Sequence, residues 1–245
     1  MSASRGWTKI VEPYRTMHQR VVDELGRRIV NGLVEPDRPL PVEDTLAAEL
    51  GVSRGALREA VKALAAKGML LTRPRTGTRV LPREQWNHLD RDVLRWQQTS
   101  DPRRLLRDIG ELRRAVEPEA ARLAAGRAGP GHTRAMFEAL AAMESAASRP
   151  ELDEYVEADI AFHRALLDAS GNRLFGSLGR ALDVALEHSF AVSSQTPGAV
   201  EASLPPHRAL AEAVEYGRSA EASAAILAII ESAEQEIARS MAFPA

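Results

Sequence analysis

The sequence predicts a mainly α-helical protein in two parts, an N-terminal winged helix-turn-helix and a C-terminal antiparallel, all-helical bundle. Three observations carry this reading. Apolar side chains recur at helical spacing through most of the 245 residues, and extended runs are confined to two short stretches near residues 69–82. Aromatic residues make up only 4% of a chain that is 44% apolar, which with abundant Ala and Leu favours helices. Charge is also divided: residues 1–82 hold 14 Lys and Arg against 9 Asp and Glu, and residues 83–245 hold 18 against 25. A basic front of +5 and an acidic back of −7 point to a polyanionic partner for the front alone.

Composition closes several routes. The chain has no cysteine, so disulfides and thiolate metal sites are excluded. No apolar run approaches the ~18 residues of a membrane span. Charges run through the first thirty residues, unlike a signal peptide. The expectation is a soluble, cytoplasmic, bacterial protein.

Residues 1–15 read as an N-terminal arm and 16–82 as one domain. Val21, Leu25 and Ile29 mark a helix over 17–31. The Pro-rich turn VEPDRPLP follows, then a short helix from Glu43 to Leu50 that stops at Gly51. Ser53 is placed to cap the next helix, which Gly68 ends. Beyond it, MLLTRP and GTRVLP form two strands around a turn, a β-wing. In the helix after Ser53, Leu57, Ala60, Val61 and Leu64 make the core stripe. Arg54, Arg58 and Lys62 lie roughly 110° away by the 3.6-residue period. One face packs while the other is free to enter a major groove, where arginine pairs bidentately with guanine.

The motif LPVEDTLAAELGVSRGALREAVKALAAKGML, with its SR and RE core, resembles the DNA-binding domain of the GntR family of bacterial regulators. That resemblance implies that Ser53, Arg54, Arg58 and the wing tip, Arg75 and Gly77, touch double-stranded operator DNA. Two departures stand out. Asp44 occupies a position where many members carry a DNA-facing arginine, and Arg75 sits where a glycine is common.

Residues 83–100, with WNHLDRDVLRW at their centre, read as an amphipathic linker helix anchored by Trp86 and Trp96. Asp101 and Pro102 then start a helix. The rest, 101–245, divides into about six helices: 102–127, 131–148, 151–169, 172–195, 201–216 and 219–241. Pro118 is expected to kink or divide the first. His18, His88, His132 and His188 have no motif around them and read as surface or packing residues.

Within this second part, Asp159 and His163 share a helix face with Val156, Ile160 and Leu167. His207 lies between Leu210 and Ala211 on the apolar face of its own helix. Buried polar groups need partners. The trio therefore reads as a hydrogen-bonded core, as ligands for Zn²⁺, Ni²⁺ or Mn²⁺, or as an acid/base group. Arg113, at the flank of its apolar face, suits a carboxylate. Asn172 serves a cavity or caps the next helix, the cap being the better fit.

The stretches ELRRAVEPEAARLAA, DIAFHRALLDASGN and HRALAEAV resemble the FCD ligand-sensing domain of the FadR subfamily. The resemblance implies a divalent metal held by one Asp and three His beneath an effector cavity. Asp159, His163 and His207 match three of these. Ile230 stands at the fourth, and Glu231 is a ligand only if the register shifts by one. The linker, VEPEAARLAA and the lost final His together resemble the sugar-acid-sensing, galactonate-type branch. The implied effector contacts are Arg113, Asp159, His163, Asn172 and His207.

The resulting expectation is a homodimeric repressor on a palindromic operator, released by a small carboxylic acid such as galactonate or gluconate. Two other classes stand beside it: a metal-dependent enzyme using Asp159, His163 and His207, and a constitutive DNA-binding dimer without effector. The sequence shows no nucleophile motif and no phosphate-binding Gly-rich loop, and a fused DNA-binding domain favours sensing.

Overall fold

The computed structural model describes residues 17–36, 38–74, 77–149 and 152–242. The chain forms two compact units, residues 1–100 and 101–245.

The first unit is built on α1 (Met17–Val30), α2 (Glu43–Leu50) and α3 (Arg54–Ala66), then a hairpin of β1 (Leu70–Arg73) and β2 (Gly77–Val80). Val21, Leu25 and Ile29 of α1, and Leu57, Ala60 and Leu64 of α3, are all buried in one apolar cluster. Gly51, at φ 68°, ends α2 in the left-handed region that favours glycine. Ser53 Oγ accepts from Ala56 N at 3.2 Å and starts α3. The strands pair antiparallel with Leu70 opposite Val80, and Pro39 adds a bridge to Arg79.

A 3₁₀ turn at Arg83–Gln85 leads into α4 (Arg91–Ser100). The expected linker helix is therefore helical only in its second half. Asn87 Oδ1 accepts from Leu89 N, and Asp90 Oδ1 accepts from Asp92 N and Val93 N. These local bonds compete with helix before residue 91 and cap it there. Trp86, Val93 and Trp96 join the core of the first unit. Trp96 lies directly on Gly26, where any Cβ would stand 2.3–2.5 Å from its ring atoms.

The second unit is all helix among its described residues: α5 (Pro102–Arg127), α6 (Pro130–Ala147), α7 (Asp153–Ala169), α8 (Arg173–Ser193), α9 (Ala199–Glu215) and α10 (Ser219–Ala242). Asp101 Oδ1 caps α5 through Arg104 N, with Pro102 at the first helical position. That helix runs undivided through Pro118, because its packing against α7, α8, α9 and α10 outweighs the lost backbone bond. His132 also has a specific task, its Nδ1 accepting from Gly129 N at the start of α6. Among the described residues, no helix is long and apolar enough to cross a membrane.

Candidate functional site

On α3 the side opposite the buried stripe carries exposed Arg54, Arg58 and Lys62. Each meets a carboxylate. Arg54 Nε is 2.8 Å from Asp44 Oδ1, Arg58 Nε is 2.7 Å from Glu43 Oε1, and Lys62 Nζ is 2.8 Å from Glu59 Oε1. Gly77, at the wing, has φ 79° with open space around it, so the turn itself asks for glycine. Arg75 lies outside the described residues, as does the N-terminal arm.

The second unit buries a polar cluster drawn from three helices. Asp159, His163 and His207 are each 6% exposed or less, and one ligand atom from each lies within 4.8 Å of the others. The helical register explains their placement: His163 follows Asp159 by one turn of α7, and His207 faces them from α9. His207 Nδ1 donates to the Ser203 carbonyl at 2.7 Å, so Nε2 is the nitrogen turned toward the cluster. That Nε2 is 3.2 Å from Asp159 Oδ1, yet neither atom makes a hydrogen bond, and both are buried. His163 Nε2 lies 3.4 Å from the same oxygen. Its Nδ1 lies 2.9 Å from Glu117 Oε2, off the hydrogen-bond axis, so the contact is chiefly electrostatic.

Glu117 is the group that sequence reasoning overlooks. Arg113 Nε donates to its Oε1 at 2.7 Å, and Arg113 Nη2 also reaches His163 Nε2 at 3.3 Å. The Arg113 guanidinium lies over the Phe190 ring, 4.7 Å from its centroid. Burial alone would raise the Glu117 carboxyl, but the charges of Arg113 and His163 outweigh it and hold the pKa down to about 2. Asp159 is likewise held below the usual carboxylate range, its burial outweighed by His163 and His207. For His163, burial opposes the charged form, and Glu117 and Asp159 raise the pKa over that opposition.

A cavity of about 40 Å³ adjoins the cluster, lined by Arg113, Asp159, His163 and His207 together with residues of α8, α9 and α10. By one probe sphere per water it holds a few waters, and it is far below the ~300 Å³ of a small-molecule site. From α10 it receives Ile229, Ser232, Ala233 and Glu236. Glu236 binds Arg239 through Oε1 at 2.7 Å, while its Oε2 is buried without a hydrogen bond.

The structure also places the other candidate residues, and the cap reading of Asn172 holds. On α10, Ile229 lines the cavity, whereas Ile230 is buried without lining it. Glu231 is exposed and paired with Arg114, so it is no ligand. Asn172 caps α8 by accepting from Leu174 N at 3.0 Å, and it faces a separate groove beside Arg122 and Arg127. Arg113 lies deep rather than at the flank, with its charge already matched by Glu117.

Comparison with known proteins agrees with this architecture. Residues 17–80 match the model of bacterial regulatory proteins of the gntR family, and residues 108–232 match the FCD domain. The chain is 35% identical to the galactonate operon transcriptional repressor of Escherichia coli K12, over 89% of this chain and 95% of that one. It is 31% identical to the HTH-type transcriptional regulator LutR of Bacillus subtilis, over 84% and 94%. A solved GntR protein of Streptococcus agalactiae superposes with a TM-score of 0.51 at 26% identity, covering 89% of this chain and 99% of that one. The Listeria monocytogenes regulator Lar shares the fold at a TM-score of 0.64 and 20% identity, with 93% and 99% covered.

Proposed function

Since the chain belongs to the GntR family of bacterial transcription regulators, with an FCD domain as its second unit, we propose that it is a cytoplasmic, homodimeric repressor released from its operator by a polyhydroxylated carboxylic acid. DNA binding is the work of the first unit, with Ser53, Arg54, Arg58, Arg75 and Gly77 as its contacts. Two such modules on one dimer suit a palindromic operator.

One observation carries the sensing half of this reading. Asp159 Oδ1 and His207 Nε2 face each other at 3.2 Å, buried and without a hydrogen bond. A carboxylate oxygen and an imidazole nitrogen at that separation suit a shared cation. Asp159, His163 and His207 would hold a divalent metal, Zn²⁺, Ni²⁺ or Mn²⁺. His207 already has an acceptor at Nδ1, the usual support of a ligating histidine, and His163 Nδ1 lies beside the Glu117 carboxylate. When bound, the metal supplies the positive charge that a carboxylate needs. Arg113 does not, because Glu117 has claimed it.

The chain's own groups do the rest. Glu117 and Arg113 orient His163. The unpartnered Glu236 oxygen, with Ser232 of α10 and Ser193 and Ser194 at the end of α8 lining the same cavity, asks for a ligand rich in hydroxyl donors. Galactonate or gluconate fits that chemistry, and the Escherichia coli relative, a galactonate operon repressor, points the same way. A cavity of about 40 Å³ must widen to admit either. Ligand and operator then favour different arrangements of the second unit, which is the basis of release.

The test titrates galactonate and gluconate into the full-length protein, before and after EDTA, by thermal shift and by operator release. Light scattering reports the dimer. The expected result is stabilisation and release by at least one of the two acids, lost after EDTA and restored by added metal. Absence of any response from metal-loaded protein overturns the sugar-acid assignment.

A further inference from the structure

We propose that Asp44 and Glu43 are positioning residues for base readout, each holding the Nε edge of a recognition-helix arginine so that the other end of its guanidinium is left for a guanine. The proposal rests on α3 being the recognition helix, with Arg54 and Arg58 its readers. The shortest contacts are ion pairs at Nε, 2.8 Å for Arg54 with Asp44 and 2.7 Å for Arg58 with Glu43, and Glu43 Oε1 meets the arginine by charge without a hydrogen bond. A guanidinium has five N–H donors in a fixed fork. A carboxylate at the Nε edge leaves the Nη1 and Nη2 end for the O6 and N7 atoms of guanine.

These are not the helix-neighbour pairs that decorate any helical surface. The carboxylates sit in the first turn of α2 and the arginines on α3, so the geometry depends on the turn at Gly51. Both side chains of the Asp44–Arg54 pair are 63% exposed, and pairs so exposed do little for stability. Their effect lies in what the arginines can do next. A tethered arginine has given up rotamer freedom before DNA arrives, so less is lost on pairing with a base.

Charge gives the same pair a second effect. Arg54, Arg58 and Lys62 are each matched by a carboxylate, Asp44, Glu43 and Glu59, so this face of the reader carries no net charge. Binding to arbitrary DNA comes mostly from phosphate contacts and released counterions, and a neutral face gains little from either. Base pairing by the arginine forks is retained. Asp44 and Glu43 thus lower indiscriminate binding while sharpening readout.

The experiment uses duplexes selected by the wild-type full-length protein from a randomised library, and one scrambled duplex, at several salt concentrations. Asp44→Asn and Glu43→Gln are expected to bind the scrambled duplex several-fold more tightly. The salt dependence should steepen by about 0.9 in log–log slope for each arginine freed for phosphate. The ratio of selected to scrambled affinity should fall about tenfold, and Asp44→Glu should keep it. If the ratio is unchanged in both variants while Arg54→Ala and Arg58→Ala lose the selected duplex, the carboxylates do not position the arginines. If Arg54→Ala and Arg58→Ala bind it as wild type does, the recognition-helix reading has itself failed.

Discussion

Arg113 Nε lies 2.7 Å from Glu117 Oε1, one helical turn along α5, and both side chains are about 95% buried or more. A carboxylate and a guanidinium sealed together in a bundle make removal of either one costly. Arg113→Ala leaves Glu117 charged and buried with only His163 beside it, which should cost about 3–5 kcal/mol. The double variant Arg113→Met, Glu117→Gln removes both charges at similar volume and should recover most of that loss. Thermal and urea unfolding of the full chain measure both. A loss below ~1 kcal/mol in Arg113→Ala would show that the pair is solvated and the arginine free to clamp an effector.

Metal content provides the second expectation. Untagged protein, purified without chelator, should carry a substoichiometric divalent metal that EDTA removes, because three protein ligands leave the site open. His163→Ala and His207→Ala should each lower the metal retained. The informative gain is at Ile229, the α10 residue on the cavity wall. Ile229→His should raise retention and slow removal by EDTA, whereas Ile230→His should not. Elemental analysis of the five proteins reads this directly, and metal-free wild type that stays metal-free in Zn²⁺ and Ni²⁺ defeats the assignment.

Glu236 supplies the third. Its Oε2 is buried at the cavity wall with no donor. A ligand hydroxyl placed there gains a hydrogen bond to a charged acceptor, about 1.5–3 kcal/mol. Glu236→Ala should therefore weaken a polyhydroxylated acid about tenfold or more, and leave hexanoate, which has no hydroxyl, unchanged or slightly tighter. Calorimetric titration of metal-loaded protein with both acids decides it. Equal losses for the two would mean that Glu236 acts only on the shape of the cavity.

Much of this architecture is legible in the sequence because helix periodicity and capping are local. Ser53, Asp101 and Asn172 announce helix starts by residue type, and the structure places their oxygens on the expected amides. Asp159, His163 and His207 are legible too, since polar side chains on apolar helix faces stand out against their neighbours. What escapes is set by tertiary packing. Glu117 lies at i+4 from Arg113 and shares its face, but an arginine read alone looks like a free clamp. Glu236 has Arg239 at i+3, which reads as a surface pair, and only its second oxygen faces the cavity. Neighbours on one helix differ by 100°, so choosing Ile229 over Ile230 depends on how α10 packs against α9 and α5. No local pattern contains that packing.

Gly26 and Trp96 give the last expectation, in the first unit. A Cβ at residue 26 would stand 2.3, 2.4 and 2.5 Å from three atoms of the Trp96 six-membered ring, distances no packed carbon tolerates. The ring is 2% exposed and is held at its other end, where Trp96 Nε1 donates to Asp23 Oδ1 at 3.2 Å. Arg95 Nη2 donates to the same oxygen at 2.7 Å. Gly26→Ala therefore cannot be absorbed by a small shift of a flexible chain end. Either α4 lifts from α1, or the indole leaves its rotamer and gives up the Asp23 bond. Helix propensity favours alanine by about 1 kcal/mol, and overpacking opposes it by about 1–3 kcal/mol. The net expected effect is destabilisation of the first unit, with a red shift in tryptophan emission as the indole meets water. Trp96→Leu in the Gly26→Ala background should restore packing and recover part of the stability, a non-additivity expected of residues in contact. An unshifted spectrum and a higher melting temperature in Gly26→Ala would mean that α4 does not rest on α1 in solution.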